Sequence, residues 1–135
     1  MAIDHEIGDE LLAAMTLGNL GHNALACRDY PAAEAYYREG LQVALSISDI
    51  PGILDILSGL ASVLAQTNRQ ELALTSLGLV LRHPGLEDES RPIAEQALVV
   101  LQTALPLDVV EAGLASGREQ ALEAAVAETR GIDKQ

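Results

Sequence analysis

The sequence predicts an all-α fold: a right-handed superhelical array of antiparallel helix pairs, with about seven helices. Three observations predict it. The chain repeats itself at an offset of 40, with Leu17 falling on Leu57, Leu20 on Leu60, Gly21 on Ala61, Ala33 on Ala73, Tyr37 on Leu77 and Leu41 on Leu81. Apolar residues recur at helical spacing, and no segment shows strand alternation bounded by hairpin turns. A polar turn divides each copy in two, so each copy reads as a helical hairpin.

The elements follow in order. Residues 1–8 stand where the second helix of a preceding repeat would finish, as residues 43–46 do forty positions on. Gly8-Asp9 gives a start, with Asp9 as N-cap, and the first helix spans 9–27. In the turn at 28–31, Asp29 caps the second helix. Pro31 falls in the first turn of that helix, where a missing N–H costs little. The second helix runs to about residue 47, and Ser48-Asp49-Ile50-Pro51 repeats the stop-and-cap logic. The third helix covers 51–66, Thr67-Asn68 makes a turn, and the fourth covers 70–82. His83-Pro84-Gly85 ends the second unit, and 86–90 is an acidic loop. A fifth helix at 91–104 places Ala94, Leu98, Leu101 and Leu105 on one face, and Pro106 breaks it. A short helix spans 107–115. Ser116 and Glu119 have capping-box spacing and start a last helix that turns Leu122 and Val126 inward, before residues 131–135 fray. The domain therefore divides into a tail of a preceding repeat (1–8), repeat one (9–48), repeat two (49–85) and degenerate capping helices (86–135) that cover the last apolar face. Between the first two helices, small Gly21 and Ala33 permit close approach while Leu20, Tyr37 and Leu41 fill the space. Cys27 reads as a small buried hydrophobe.

Composition narrows the function. The 135 residues, 49 % hydrophobic, suit one folded domain. Twenty acidic against eight basic residues give a net charge of −12. A nucleic-acid partner calls for a basic stripe, and there is none. An anionic membrane would repel such a surface, and no apolar run reaches spanning length. Cys27 is the single cysteine, so no internal disulfide forms, and residues 1–10 are acidic rather than signal-like. The cytoplasm is the expected compartment. His5, His22 and His83 lie in three separate elements, so no metal is expected, and no Gly-rich phosphate loop ending in Lys-Ser/Thr occurs. No cofactor is implied. Cys27 and His22 are five apart on one helix and point to different faces. Glu87, Asp88 and Glu89 sit in an exposed loop where nothing raises a carboxyl pKa for acid catalysis. The reading is not an enzyme.

Leu17, Leu20-Gly21, Ala24, Ala33 and Tyr37 have the spacing of a tetratricopeptide-type unit, although a repeat of 40 exceeds the basic unit of about 34. Residues 17–81 resemble the C-terminal helical repeats of bacterial STAND- and LuxR-type multidomain signalling regulators. The tail follows the same order, with His83-Pro84, an acidic stretch, Ala94-Glu95, Leu105-Pro106, Val109-Val110, Gly117-Arg118 and Leu122-Glu123. The resemblance implies stacked antiparallel helix pairs and a role in binding or sensing, and it brings no catalytic residues. Arg28 departs from it, standing where such repeats usually place Gly, and Gln70 stands where the first unit has Tyr30.

In such arrays a concave groove is lined by the first helix of each pair. Helical spacing puts Leu12, Met15, Asn19, His22 and Ala26 on that stripe in unit one, and Asp55, Gly59, Ser62 and Gln66 in unit two, with Ser58 beside it. The candidate partner-binding residues are Met15, Asn19, His22, Asp55, Ser58, Ser62 and Gln66. Taken singly, each reads first as an ordinary solvated helix position, so the expectation attaches to the groove as a whole. It lacks the Lys/Arg pairs that clamp a carboxylate or phosphate. Tyr36, about 100° from the core residue Tyr37, is a candidate interface anchor. The function expected is a non-catalytic protein–protein interaction module that binds a protein or peptide, as the C-terminal repeat or sensor part of a larger bacterial signalling or regulatory protein. One rival is a structural adaptor that forms a homo-oligomer through its open N-terminal hairpin face. A weaker rival is a small-ligand sensor with a pocket between unit two and the closing helices.

Overall fold

A computed structural model describes the backbone of residues 2–119 and the side chains of residues 6–119. The expected last helix with Leu122 and Val126 lies outside the described residues. Among the described residues there are six helices and no strand: α1 (Ala2–Ala26), α2 (Tyr30–Ser46), α3 (Ile50–Gln66), α4 (Gln70–Arg82), α5 (Arg91–Ala104) and α6 (Leu107–Arg118). The first four pack in sequence as antiparallel neighbours, and α1 also touches α3. No described helix is long and apolar enough to cross a membrane.

The three turns that set this array are near-copies at a spacing of 20 residues. Arg28, Ser48 and Asn68 take left-handed φ values of 60°, 53° and 64°. The next N–H in each turn reaches back to the finishing helix: Asp29 to the Ala24 carbonyl at 2.9 Å, Asp49 to Ala44 at 3.0 Å and Arg69 to Leu64 at 3.1 Å. These bonds satisfy carbonyls that the helix end leaves open. Arg28 and Ser48 hold a conformation that glycine adopts more cheaply. Asp29 and Asp49 then start the next helix, accepting from the N–H of Ala32 at 3.2 Å and of Gly52 at 3.3 Å. Arg69, third in the series, offers no side-chain cap.

Helix α3 is the axis of the core. Ile53, Leu54 and every residue from Ile56 to Ala65 are buried, because α1, α2, α4 and α5 surround it. Helices α5 and α6 do not pair with each other as a third hairpin. Leu105 and Pro106 are extended, so α5 lies on α3 and α6 lies on α4, while α5 and α6 barely meet. Glycines allow the second crossing. A Cβ at Gly78 would run into the Leu114 carbonyl, one at Gly117 into the Thr75 carbonyl, and one at Gly113 into the Leu74 side chain.

Four expectations are corrected. Helix α1 begins at Ala2, not Asp9. Gly8 sits inside it with open space around it, and one exposed helical glycine costs only about 1 kcal/mol. Cys27 is exposed, because α1 stops at Ala26 and puts it in the turn. Leu20 is 38 % exposed and does not fill the interhelical space; the Tyr37 ring lies over Gly21 instead. Ser116 and Gly117 do not start a new helix but continue α6 to Arg118, because Gly117 is held against α4.

Gly117→Ala is expected to destabilise the protein by about 1–3 kcal/mol, because its methyl has only backbone to displace. Gly8→Ala, in open space, is expected to stabilise it by about 0.5–1 kcal/mol. Urea unfolding followed by circular dichroism checks both.

Candidate functional site

The stripe expected to line the groove is built around a polar chain that joins four elements. Tyr37, on α2, is fully buried, and its ring occupies a slot between Gly21 of α1 and Gly59 of α3. A Cβ at Gly21 would stand 2.5 Å from the ring, and one at Gly59 would overlap it as well. The Tyr37 hydroxyl reaches His22 Nδ1 at 2.7 Å. His22 Nε2 reaches Asp55 Oδ2 at 2.9 Å. Asp55 Oδ1 accepts from the Ser90 hydroxyl at 2.7 Å. A carboxylate only accepts, so Nε2 donates to Asp55, and in the neutral imidazole Nδ1 is left to accept the tyrosine O–H. The two rings also meet edge to face, with centroids 5.4 Å apart. Ser90 precedes α5 but does not cap it with its side chain, because its hydroxyl is turned to Asp55.

Electrostatics follow from this geometry. Burial pushes the Asp55 carboxyl up, but the hydrogen bonds from His22 and Ser90 outweigh it and hold the group below the usual carboxylate range. Burial, with the Asp55 charge adding to it, pushes the Tyr37 phenol well up. An Asp–His–hydroxyl chain has the connectivity of a nucleophile-activating triad. Here the hydroxyl is sealed between two glycines and is made less acidic, so no substrate reaches it. The chain acts as a clamp. A second tie lies nearby: Arg69 makes two bonds to Glu34, at 2.9 and 2.6 Å, and Arg38 a third at 2.9 Å. The Arg69 bond, with help from Arg38 and against burial, holds the Glu34 carboxyl low.

Beside the clamp is a hollow of about 500 Å³ between α1, α3 and the 87–90 loop. Leu11, Ala14, Met15 and Ile56 form its apolar wall, while Asp49, Asp55, Glu87 and Glu89 stand on its polar side. A smaller hollow of about 230 Å³ lies toward the other end of α3, lined by Arg28, Tyr30, Ser62, Gln66 and Gln96. A third, of about 450 Å³, lies between α4 and α6 against Leu74, Leu105 and Val109. Among the described residues no group of three or more His, Cys, Asp or Glu is placed to hold a metal.

The structure divides the candidate residues. Met15, Asn19 and Asp55 meet at the large hollow, and Ser62 and Gln66 at the small one. His22 lies on the same stripe but spends both ring nitrogens on Tyr37 and Asp55. Ser58 is fully buried and donates to the Leu54 carbonyl at 2.8 Å, so its hydroxyl does not face the groove. Tyr36 is half-buried and packs against the core. Leu12 is 64 % exposed and lines none of these hollows. Sequence reasoning missed Leu11, Ser90, Glu87 and Glu89 as neighbours of the groove. It also missed the hydroxyl of Tyr37, which it treated as core. No local signal brings Ser90 to Asp55 across 35 residues.

Residues 13–47, which cover most of α1, the first turn and α2, match the model of the tetratricopeptide repeat family. Neither a curated protein nor a solved structure matches the chain.

Asp55 and Glu34 titrate below their unfolded values, so their contribution is complete above the unfolded carboxyl pKa of about 4 and is lost as pH falls through the lower folded values. Urea melts across pH 2.5–7 are expected to show stability falling below about pH 4 from these groups. Asp55→Asn is expected to reduce that acid slope.

Proposed function

We propose that the chain is a non-catalytic protein-interaction module that holds a protein or peptide segment in the groove between α1 and α3. We place it in the cytoplasm, as the C-terminal repeat part of a larger bacterial signalling or regulatory protein. Tetratricopeptide repeats generally serve protein–protein interaction, and the match at 13–47 supports that role here. The observation that carries the reading is the open hollow of about 500 Å³, with Met15 55 % and Leu11 38 % exposed beside it. Its size lies within the 300–1,000 Å³ typical of binding pockets. The clamp behind it ties α1 to α3, so a partner meets a wall that is already ordered and loses less entropy on binding. Asn19, exposed on the same wall, both donates and accepts, which suits a peptide backbone.

A second reading has its own observation. Leu12 and Leu20 are exposed on α1 and line none of these hollows, and that surface suits homodimerisation of an adaptor.

Site-specific photo-crosslinking in cells separates the two. A photoreactive residue at Asn19 is expected to capture a second protein, and one at exposed Gln42 is not. Self-adducts from Leu12, with none from Asn19, would overturn the groove reading in favour of the dimer.

A further inference from the structure

Granting the groove reading above, we infer that the occupant of the large hollow is a protein segment with an aliphatic side chain flanked by lysine or arginine. The wall offers apolar surface from Leu11, Met15 and Ile56, which an aliphatic anchor would cover. The polar side carries Asp49, Asp55, Glu87 and Glu89, and among the described residues no Lys or Arg lines the hollow. Within the chain two of these carboxylates are engaged: Asp49 caps α3, and Asp55 holds His22 and Ser90. Glu87 and Glu89 are exposed, and among the described residues neither side chain makes a hydrogen bond or ion pair. Their loop is held in place all the same. Leu86 is buried on one side and Ser90 on the other, with Ser90 fixed to Asp55. The two glutamates are therefore presented beside an apolar wall at a fixed place, with no cation paired to them among the described residues. The whole chain carries a net charge of −12, so it repels acidic partners at long range and steers basic ones. A neutral apolar segment would cover the wall and leave the carboxylates crowded and partly desolvated. A polycation without an anchor would leave the wall wet. Only the combination satisfies both sides.

The test is selection of a displayed library of random 12-residue peptides on the full-length chain, followed by affinity measurement on synthetic copies of the winners. The expected winners carry Leu, Ile or Met with Lys or Arg on both sides. Glu87→Lys with Glu89→Lys is expected to weaken them at least tenfold, and Met15→Glu is expected to do the same. The distal pair Asp108→Lys with Glu111→Lys, which makes the same change in net charge on α6, is expected to shift affinity less than threefold. Raising salt from 50 to 500 mM is expected to weaken the unmodified chain's binding more than tenfold, because exposed charges are screened. Neutral or acidic winners lost on Met15→Glu would overturn the inference and leave the groove reading standing. Winners that bind Met15→Glu as they bind the unmodified chain, or no winners at all, would overturn both. Equal losses from the groove pair and the distal pair would reduce the effect to bulk charge and overturn the inference.

Discussion

The structure depends on where the Tyr37 ring goes. Two helices that would otherwise be held apart by side chains present Gly21 and Gly59 to each other, and the ring fills the slot between them. That position carries the hydroxyl to His22, and His22 to Asp55. A buried hydroxyl without a partner would cost about 1–3 kcal/mol, so the imidazole is required by the ring's placement and the carboxylate by the imidazole's. Ser90 completes the sequence and brings the acidic loop with it. One aromatic residue thus fixes the relation of α1, α2 and α3 and the position of a loop that is distant in sequence.

The same arrangement decides what remains available on the groove. His22 and Ser58 spend their polar atoms inside the protein. What faces outward is Met15, Leu11, Asn19 and the carboxylates. The described fold closes differently at its other end, where the glycines of α4 and α6 let backbones approach and α6 covers α4 without pairing with α5.

The repeat was readable because the offset of 40 aligns apolar positions, and because Asp29 and Asp49 recur ahead of prolines. The tight turn was readable too, although the left-handed role of Arg28, Ser48 and Asn68 at half that spacing shows only in the backbone. The start of α1 was misplaced because Gly8-Asp9 has the chemistry of a cap, while an uninterrupted helix needs none. The end of α6 was misplaced for the opposite reason: Ser116-Gly117 reads as a stop, yet tertiary contact with α4 keeps it helical. The groove's stripe was legible by helical spacing. Which of its residues were free was not, since that depends on Tyr37 and Ser90, which come from other elements.

The central claim is that Tyr37, His22 and Asp55 act as one unit, and a double-mutant cycle tests it most directly. Tyr37→Phe keeps the ring in its slot and removes only the hydroxyl; Asp55→Ala removes the far end, and the hydrogen-bonded path between the two runs through His22. The account predicts that their effects on unfolding free energy fail to add by more than about 0.5 kcal/mol, the coupling expected within one hydrogen-bonded network. Additivity within about 0.3 kcal/mol, the behaviour of independent sites, would contradict it.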